Sequence, residues 1–283
     1  MLYIMFFSRY IRFEHPSGRV RCAPSMVRGR VRRNNMTDIP KTHPRYASLM
    51  LRERLVAGFN EGYVAPQGLI AHGRGEMFYY LLGEKTTKEA RAAAKAAAAL
   101  LLEARRPVIS VNGNVAALCP KEIVELADAS GARIEVGLFH RSDQRVSRIT
   151  EVLERSGAKD VLGILPDARI PGLESMRGLC ASEGIYSADV VLIPLEDGDR
   201  AEALARMGKR TIAIDLNPLS RTSRAATVTV VDEVTKAVPE ITAHVEDLED
   251  DADARGRVLA KYDRDENLAR AMATMMRNLG GQE

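Results

Sequence analysis

Five short, almost uninterrupted β-branched runs alternate with amphipathic stretches, and that alternation constrains the chain more than any other feature. From Arg106 onward the runs PVISVNG (107–113), ARIEVGLF (132–139), KDVLGIL (159–165), ADVVLIPL (188–195) and RTIAIDL (210–216) read as strands, with TVTVVD (227–232) as a sixth. Between the first five lie PKEIVELADASG, SDQRVSRITEVLERSG, PGLESMRGLCASEG and GDRAEALARMG, each with helical periodicity and a closing Gly of the kind that ends helices. Strands without polar alternation are covered on both faces, and covered strands alternating with helices build parallel βαβ units. The expected fold is α/β, an open, mostly parallel sheet of Rossmann-like type.

The flanking regions differ. Residues 43–59 read as a helix opened by Pro44. Residues 87–105 are Ala-rich, with Thr86 and Glu89 spaced as a capping box, and suit close packing inside a bundle or a dimer interface. QGLIAHGRGEMFYYLLGEKT between them reads as a glycine-rich loop entering an apolar stretch. After the sheet come an acidic linker at 246–253 and a terminal helix at 255–278, whose Met272, Met275 and Met276 read as packing groups. The expected organisation is an N-terminal extension (1–35), an N-terminal helical region (36–105), a nucleotide-binding core (106–245) and a C-terminal linker with helix (246–283).

Charge supports that division. Of the whole chain's +3, residues 1–35 carry eight Arg against one acid, which leaves the body mildly acidic. An acidic body argues against a duplex nucleic-acid binder. The first 35 residues lack the basic start and cleavage site of a secretory signal, and are expected to be a disordered extension upstream of the body. No stretch reaches the length of a membrane helix. Cys22, Cys119 and Cys180 have neither disulfide-framework nor zinc-site spacing, which fits a reducing cytoplasm, and no metal ligands of the chain's own are expected.

Ligands in open parallel sheets bind beyond the carboxyl ends of the strands. Polar residues stand at nearly every such end here: Asn112 and Asn114, His140 and Arg141, Asp167, Glu196 and Asp197, Asp215 and Asn217, and Asp232. Most single acids after a strand are helix caps, but six polar ends mark the active edge. Classical phosphate motifs are missing; AHGRGE (71–76) is the nearest substitute, through Gly73, Gly75 and Arg74. The stretch IAIDLNPLSRTSRAA is more telling. Asp215 can take ribose hydroxyls, Asn217 can read a base edge, and Arg221 and Thr222 can hold phosphates. His72 and His140 are the histidines near these loops and can act as acid, base or phosphate donor.

The blocks HPRYASLMLRERLVAG, GLIAHGRGE, LLGEKT, PVISVNGNVAAL, VLGILPDARIPGLE, GIYSADVVLIPLEDGDR and MGKRTIAIDLNPLSRT, spread from about Asp38 to Ala243, resemble those of archaeal phosphopantothenate synthetases. The resemblance implies an ATP-dependent ligase joining 4-phosphopantoate to β-alanine, with release of AMP and diphosphate, in coenzyme A biosynthesis. It also implies a homodimer, with Mg²⁺ entering on ATP. On its motifs, ATP is held by Arg52, Arg74, Asp215, Leu216, Asn217, Arg221 and Thr222, with a contribution from Asp232, Glu233 and Val234. Arg74, His72, Asn112 and His140 are then the expected catalytic or substrate-binding groups, and no protein nucleophile is required. The rival readings are a nicotinamide-dependent oxidoreductase on the same fold and a nucleotide-sensing regulatory module that binds ATP without releasing AMP.

Overall fold

The structure, a computed structural model, describes residues 39–281. The expectation of an extension over 1–35 falls outside the described residues.

Three helices come first: α1 (Tyr46–Asn60), α2 (Pro66–Leu81) and α3 (Lys88–Leu102). The sheet region follows with β1 (Pro107–Val111), α4 (Gly113–Leu118), α5 (Pro120–Ser130), β2 (Arg133–Val136), α6 (Asp143–Arg155), β3 (Val161–Leu162), β4 (Ala168–Arg169), β5 (Leu179–Cys180), β6 (Val190–Pro194), α7 (Gly198–Arg206), β7 (Arg210–Ile214), α8 (Arg221–Ala225) and β8 (Val228–Val230). Three more helices complete it: α9 (Val234–Leu248), α10 (Ala252–Lys261) and α11 (Arg264–Leu279).

The main sheet has the order β3-β2-β1-β6-β7-β8, and every neighbouring pair is parallel. Setting aside the β4–β5 hairpin, this is the doubly wound order in which the winding reverses between β1 and β6. All six segments expected as strands contribute. Side chains alternate between two cores along β6: Val190 and Leu192 join the helices α3, α5 and α9, while Val191 and Ile193 face Ile170, Ile185 and Leu204. That two-sided burial is why β6 is apolar throughout and β1 is apolar but for Ser110, whose Oγ accepts from Arg200.

The Ala-rich helix α3 is spent inside the subunit. It packs against α9, β8, α10 and α11, and Ala93, Ala94 and Ala96 to Ala99 are fully buried. Alanine permits that close approach on several sides at once. Its N-cap is Thr87, whose hydroxyl accepts from Ala90 N at 3.1 Å, one residue later than the Thr86 box expected.

Three elements depart from the sequence expectations. The glycine-rich loop is helical: Pro66 opens α2, and Gly68, Gly73 and Gly75 lie within it. Gly68 has a packing reason, since a Cβ there would fall on Asn114, whose Nδ2 donates to Gly68 O at 2.9 Å. The expected helix over 171–184 is absent. Side chains satisfy its backbone instead: Arg169 donates to the carbonyls of Leu173, Glu174 and Ser175, and Glu135 of β2 accepts from Ala181 N and Ile185 N. A 3₁₀ turn, strand β5 and a π-type turn result. Finally, the acidic linker is largely the end of α9 and the start of α10, and the terminal helix is two helices. The break is at Tyr262, in extended backbone, after which Asp263 caps α11 by accepting from Glu266 N at 2.8 Å. Met275 is buried beside Tyr79 and Leu216, whereas Met276 is exposed.

Candidate functional site

A cleft of about 650 Å³ lies where β1 and β6 part, walled by α2 on the open side. Its floor is fixed by Asn112, just past β1. The Asn112 Oδ1 accepts from Asn114 N and Val115 N at the start of α4, and its Nδ2 donates to the carbonyls of Pro194 and Leu195 at the end of β6, each at 3.1 Å. One side chain therefore ties both strand ends together. Leu195 sits beside it with φ of 52°, a left-handed backbone that a branched side chain rarely adopts and that marks strain held at the winding reversal.

The β7 side of the cleft carries the Asp-Leu-Asn turn. Asp215 accepts from Asn217 N at 2.9 Å and from Ser220 Oγ at 2.5 Å; burial raises its pKa, opposed by these hydrogen bonds and by the charge of Arg74. Asn217 Oδ1 in turn accepts from Leu219 N. Thr222 Oγ1 donates to Glu196 O at 2.8 Å, and Arg221 makes a two-point contact with Glu202. Arg74 reaches the cleft from α2 and forms no ion pair among the described residues. Gly73 and Gly75, however, are mid-helix. Their amides serve α2 and cannot cradle a phosphate.

The β2 side holds Phe139 and His140, whose rings meet edge to face at 4.6 Å. Arg145 donates to the carbonyls of Tyr63 and His140 and so fixes this loop. Arg177 lies 4.5 Å over the Phe139 ring. It pairs with Glu196, Asp197 and Asp199, and Glu196 also accepts from the buried Arg200 at 2.6 Å. A Cβ on Gly137 would press on the Arg200 guanidinium at 2.6 Å, which is why the strand end above it is glycine. His72 lines the α2 wall; burial lowers its pKa, so the ring is neutral near pH 7.

Of the residues expected from sequence, His72, Arg74, Asn112, His140, Asp215, Leu216, Asn217, Arg221, Thr222, Glu233 and Val234 all border this one cleft. Arg52 and Asp232 do not. The Arg52 guanidinium is engaged by Glu76, at 2.8 Å from Nη2, and Asp232 is buried behind the wall with Oδ1 accepting from Glu233 N. Sequence reasoning missed Arg145, Arg177 and the Glu196–Arg200 pair. The last had a legible signal in its four-residue spacing, with Glu196 just before α7 and Arg200 in its first turn. Arg177 had none, because its segment mimics a helix. Among the described residues, no three His, Cys, Asp or Glu side chains converge as a metal site, and no helix is long and apolar enough to cross a membrane.

The phosphopantothenate/pantothenate synthetase family model matches residues 89–278. Among curated relatives, a 4-phosphopantoate–β-alanine ligase of Methanosarcina mazei is 52% identical over 245 residues, covering 86% of this chain and 96% of the relative. The ligase of the same name from Thermococcus onnurineus is 52% identical, covering 82% of this chain and 90% of that one. That of Methanospirillum hungatei is 57% identical over 75% of this chain and 87% of its own.

Proposed function

The chain belongs to the phosphopantothenate/pantothenate synthetase family, and from that premise we propose that it is an ATP-dependent C–N ligase that condenses 4-phosphopantoate with β-alanine to give 4′-phosphopantothenate, AMP and diphosphate. The observation that carries this reading is the extent of the match, which from residue 89 to 278 spans every strand of the sheet and the strand-end loops of the cleft.

A carboxylate resists amine attack, so it must first be activated. A phosphopantoate oxygen attacks the α-phosphorus of ATP, diphosphate leaves, and the acyl-adenylate then meets the amine. The protein's part is to position the reactants and to stabilise charge. Asp215, Leu216 and Asn217 receive the nucleoside, Arg74, Arg221 and Thr222 its phosphates, and the Asp232–Val234 segment closes the wall beside them. Arg52 joins this set by exchanging Glu76 for phosphate. Phosphopantoate occupies the β1–β2 half, near Asn114, His140 and Arg145, with His72 a neutral donor from α2. Asn112 holds the floor. Mg²⁺ would arrive on ATP, supported by at most one or two carboxylates, and would offset phosphate charge.

The exposed Val56, Phe59, Ile70 and Met77 on α1 and α2 suit burial against a second copy of the chain, as a homodimer. A cytoplasmic setting accords with the buried thiols Cys119 and Cys180. An oxidoreductase is disfavoured by the missing glycine fingerprint, and a regulatory module would not turn ATP over. The test is product analysis with ATP, 4-phosphopantoate and β-alanine. AMP and phosphopantothenate formed only with all three support the ligase; tight ATP binding without turnover overturns it.

A further inference from the structure

Among the described residues, one large apolar side chain of the cleft lining stands open to solvent. Phe139 is 50% exposed, whereas Leu138, Leu216 and Val234 are buried and Phe78 and Leu195 are partly buried. The open ring is also held still. The Arg177 guanidinium lies over one face at 4.5 Å, and His140 meets the ring edge to face. Arg177 cannot drift either, because it is buried and paired with Glu196 at 2.8 Å, with Asp199 at 3.0 Å and with Asp197. Those three carboxylates offset its charge. What Arg177 presents to the cleft is a fixed phenyl ring rather than a free cation.

A second apolar group of the same lining is held against its own preference. Leu195 keeps the left-handed backbone that Gly or Asn would adopt more readily, and the Asn112 amide grips its carbonyl at 3.1 Å. The next residue, Glu196, is the partner of Arg177, so one buried network sets both apolar groups. Asn114, His140 and Arg145 line the cleft on the same side of the sheet and supply donors. Fixed apolar surface beside a few polar groups suits a ligand with a compact branched alkyl group next to an anionic end. 4-Phosphopantoate has that form. Its quaternary carbon carries two methyl groups and adjoins the phosphorylated CH₂ on one side and the hydroxyl-bearing carbon on the other.

Resting on the ligase reading above, we propose that Phe139, with Leu195, receives the paired methyl groups of 4-phosphopantoate and is the residue by which the enzyme selects this acid over unbranched phosphorylated hydroxy acids. Arg177 is then a positioning residue that acts through the ring. The assignment gives the open ring an occupant, since bound substrate removes both the phenyl face and the two methyls from water. It also gives a use to the strained Leu195, whose side chain no smaller or more polar residue replaces.

The full chain tests this with two acids, 4-phosphopantoate and its analogue 2-hydroxy-4-phosphobutanoate, which lacks both methyls. The readout is the ratio of their kcat/KM values in AMP release with ATP and β-alanine, together with the inhibition constant of the analogue against 4-phosphopantoate. A methyl group in an apolar pocket is worth about 10-fold or more in kcat/KM. Phe139→Ala is therefore expected to lower kcat/KM for 4-phosphopantoate by at least about 10-fold, and to change the analogue's kcat/KM and inhibition constant by less than about threefold. Any intrinsic effect of the methyls on the reaction cancels between enzyme and variant. Phe139→Leu, still apolar, should keep most of the preference. Leu195→Asn is near in size and at ease in a left-handed backbone, so it should reduce the preference without a loss of Tm. Equal losses on both acids in Phe139→Ala, or an unchanged ratio, overturn the assignment. An unchanged ratio with a raised KM for ATP would give the ring to the adenine instead, and overturns it as well. Turnover of neither acid by the unsubstituted enzyme would refute the ligase reading, and this assignment with it.

Discussion

Replacing Glu196 with Gln isolates the electrostatics beneath the cleft. Arg200 is 1% exposed, and among the described residues its only carboxylate partner is Glu196 Oε2 at 2.6 Å; Ser110 Oγ, at 2.9 Å, is neutral. Its Nε and Nη2 have no hydrogen-bond partner among the described residues. Arg177, by contrast, keeps Asp197 and Asp199 when Glu196 is neutralised. The cost is therefore concentrated on one buried guanidinium. Removing one partner of a buried pair typically costs about 3–5 kcal/mol, which at about 2–4 °C per kcal/mol for a chain of this size lowers Tm by about 6–20 °C. Differential scanning calorimetry of Glu196→Gln reads this directly. Adding Arg200→Met removes the orphaned charge, so the double variant should regain most of the loss. It should also push the buried Glu135 carboxyl further up, since the charge of Arg200 helps to hold it down. A Tm drop below about 2 °C, or strictly additive losses, would refute the reasoning.

Arg74 is the opposite case, a cleft cation with no ion-pair partner to orphan among the described residues. Arg74→Ala should leave Tm unchanged and lower kcat/KM for ATP by about 10²–10³-fold in a coupled AMP assay. Thr87→Ala deletes the cap of α3 and should cost about 1 kcal/mol, or about 2–4 °C in thermal unfolding, with activity retained below the transition. The folded pKa of His72 lies below its ordinary value of 6.5, so its contribution to stability is fully present above pH 6.5 and is lost as pH falls through the folded value. His72→Gln should accordingly flatten the fall of Tm between pH 7 and 5 without changing Tm at pH 8; superimposable curves would contradict this.

The sheet was legible because its strands are buried on both faces, a pattern that leaves little choice of fold. The active edge was legible too, since strand ends such as Asp215 and Asn112 must leave the sheet with polar side chains. The segment around Arg177 was not. PGLESMRGLCASEG has helical spacing, but Arg169 and Glu135, distant in sequence, take over its backbone hydrogen bonds. Local periodicity carries no trace of such partners. AHGRGE misled for a related reason: glycine is a poor helix former, yet α2 carries Gly73 and Gly75 in its interior, and Gly68 lets it approach Asn114 closely. Arg52 shows the reverse limit. Its motif resembles an ATP ligand, yet Glu76 of α2 holds this α1 side chain outside the cleft lining. Glu233 could be placed near the site from sequence, but its place as the N-cap of α9 emerges only from the structure.

The most direct test of the central claim is to follow the carboxylate oxygens of 4-phosphopantoate. With both labelled as ¹⁸O, and with ATP and β-alanine present, activation through the adenylate transfers one labelled oxygen to AMP for each amide formed and keeps the other in the amide carbonyl. Mass spectrometry of the purified AMP is expected to show that single label. Unlabelled AMP, or label in inorganic phosphate accompanied by ADP, would contradict the account.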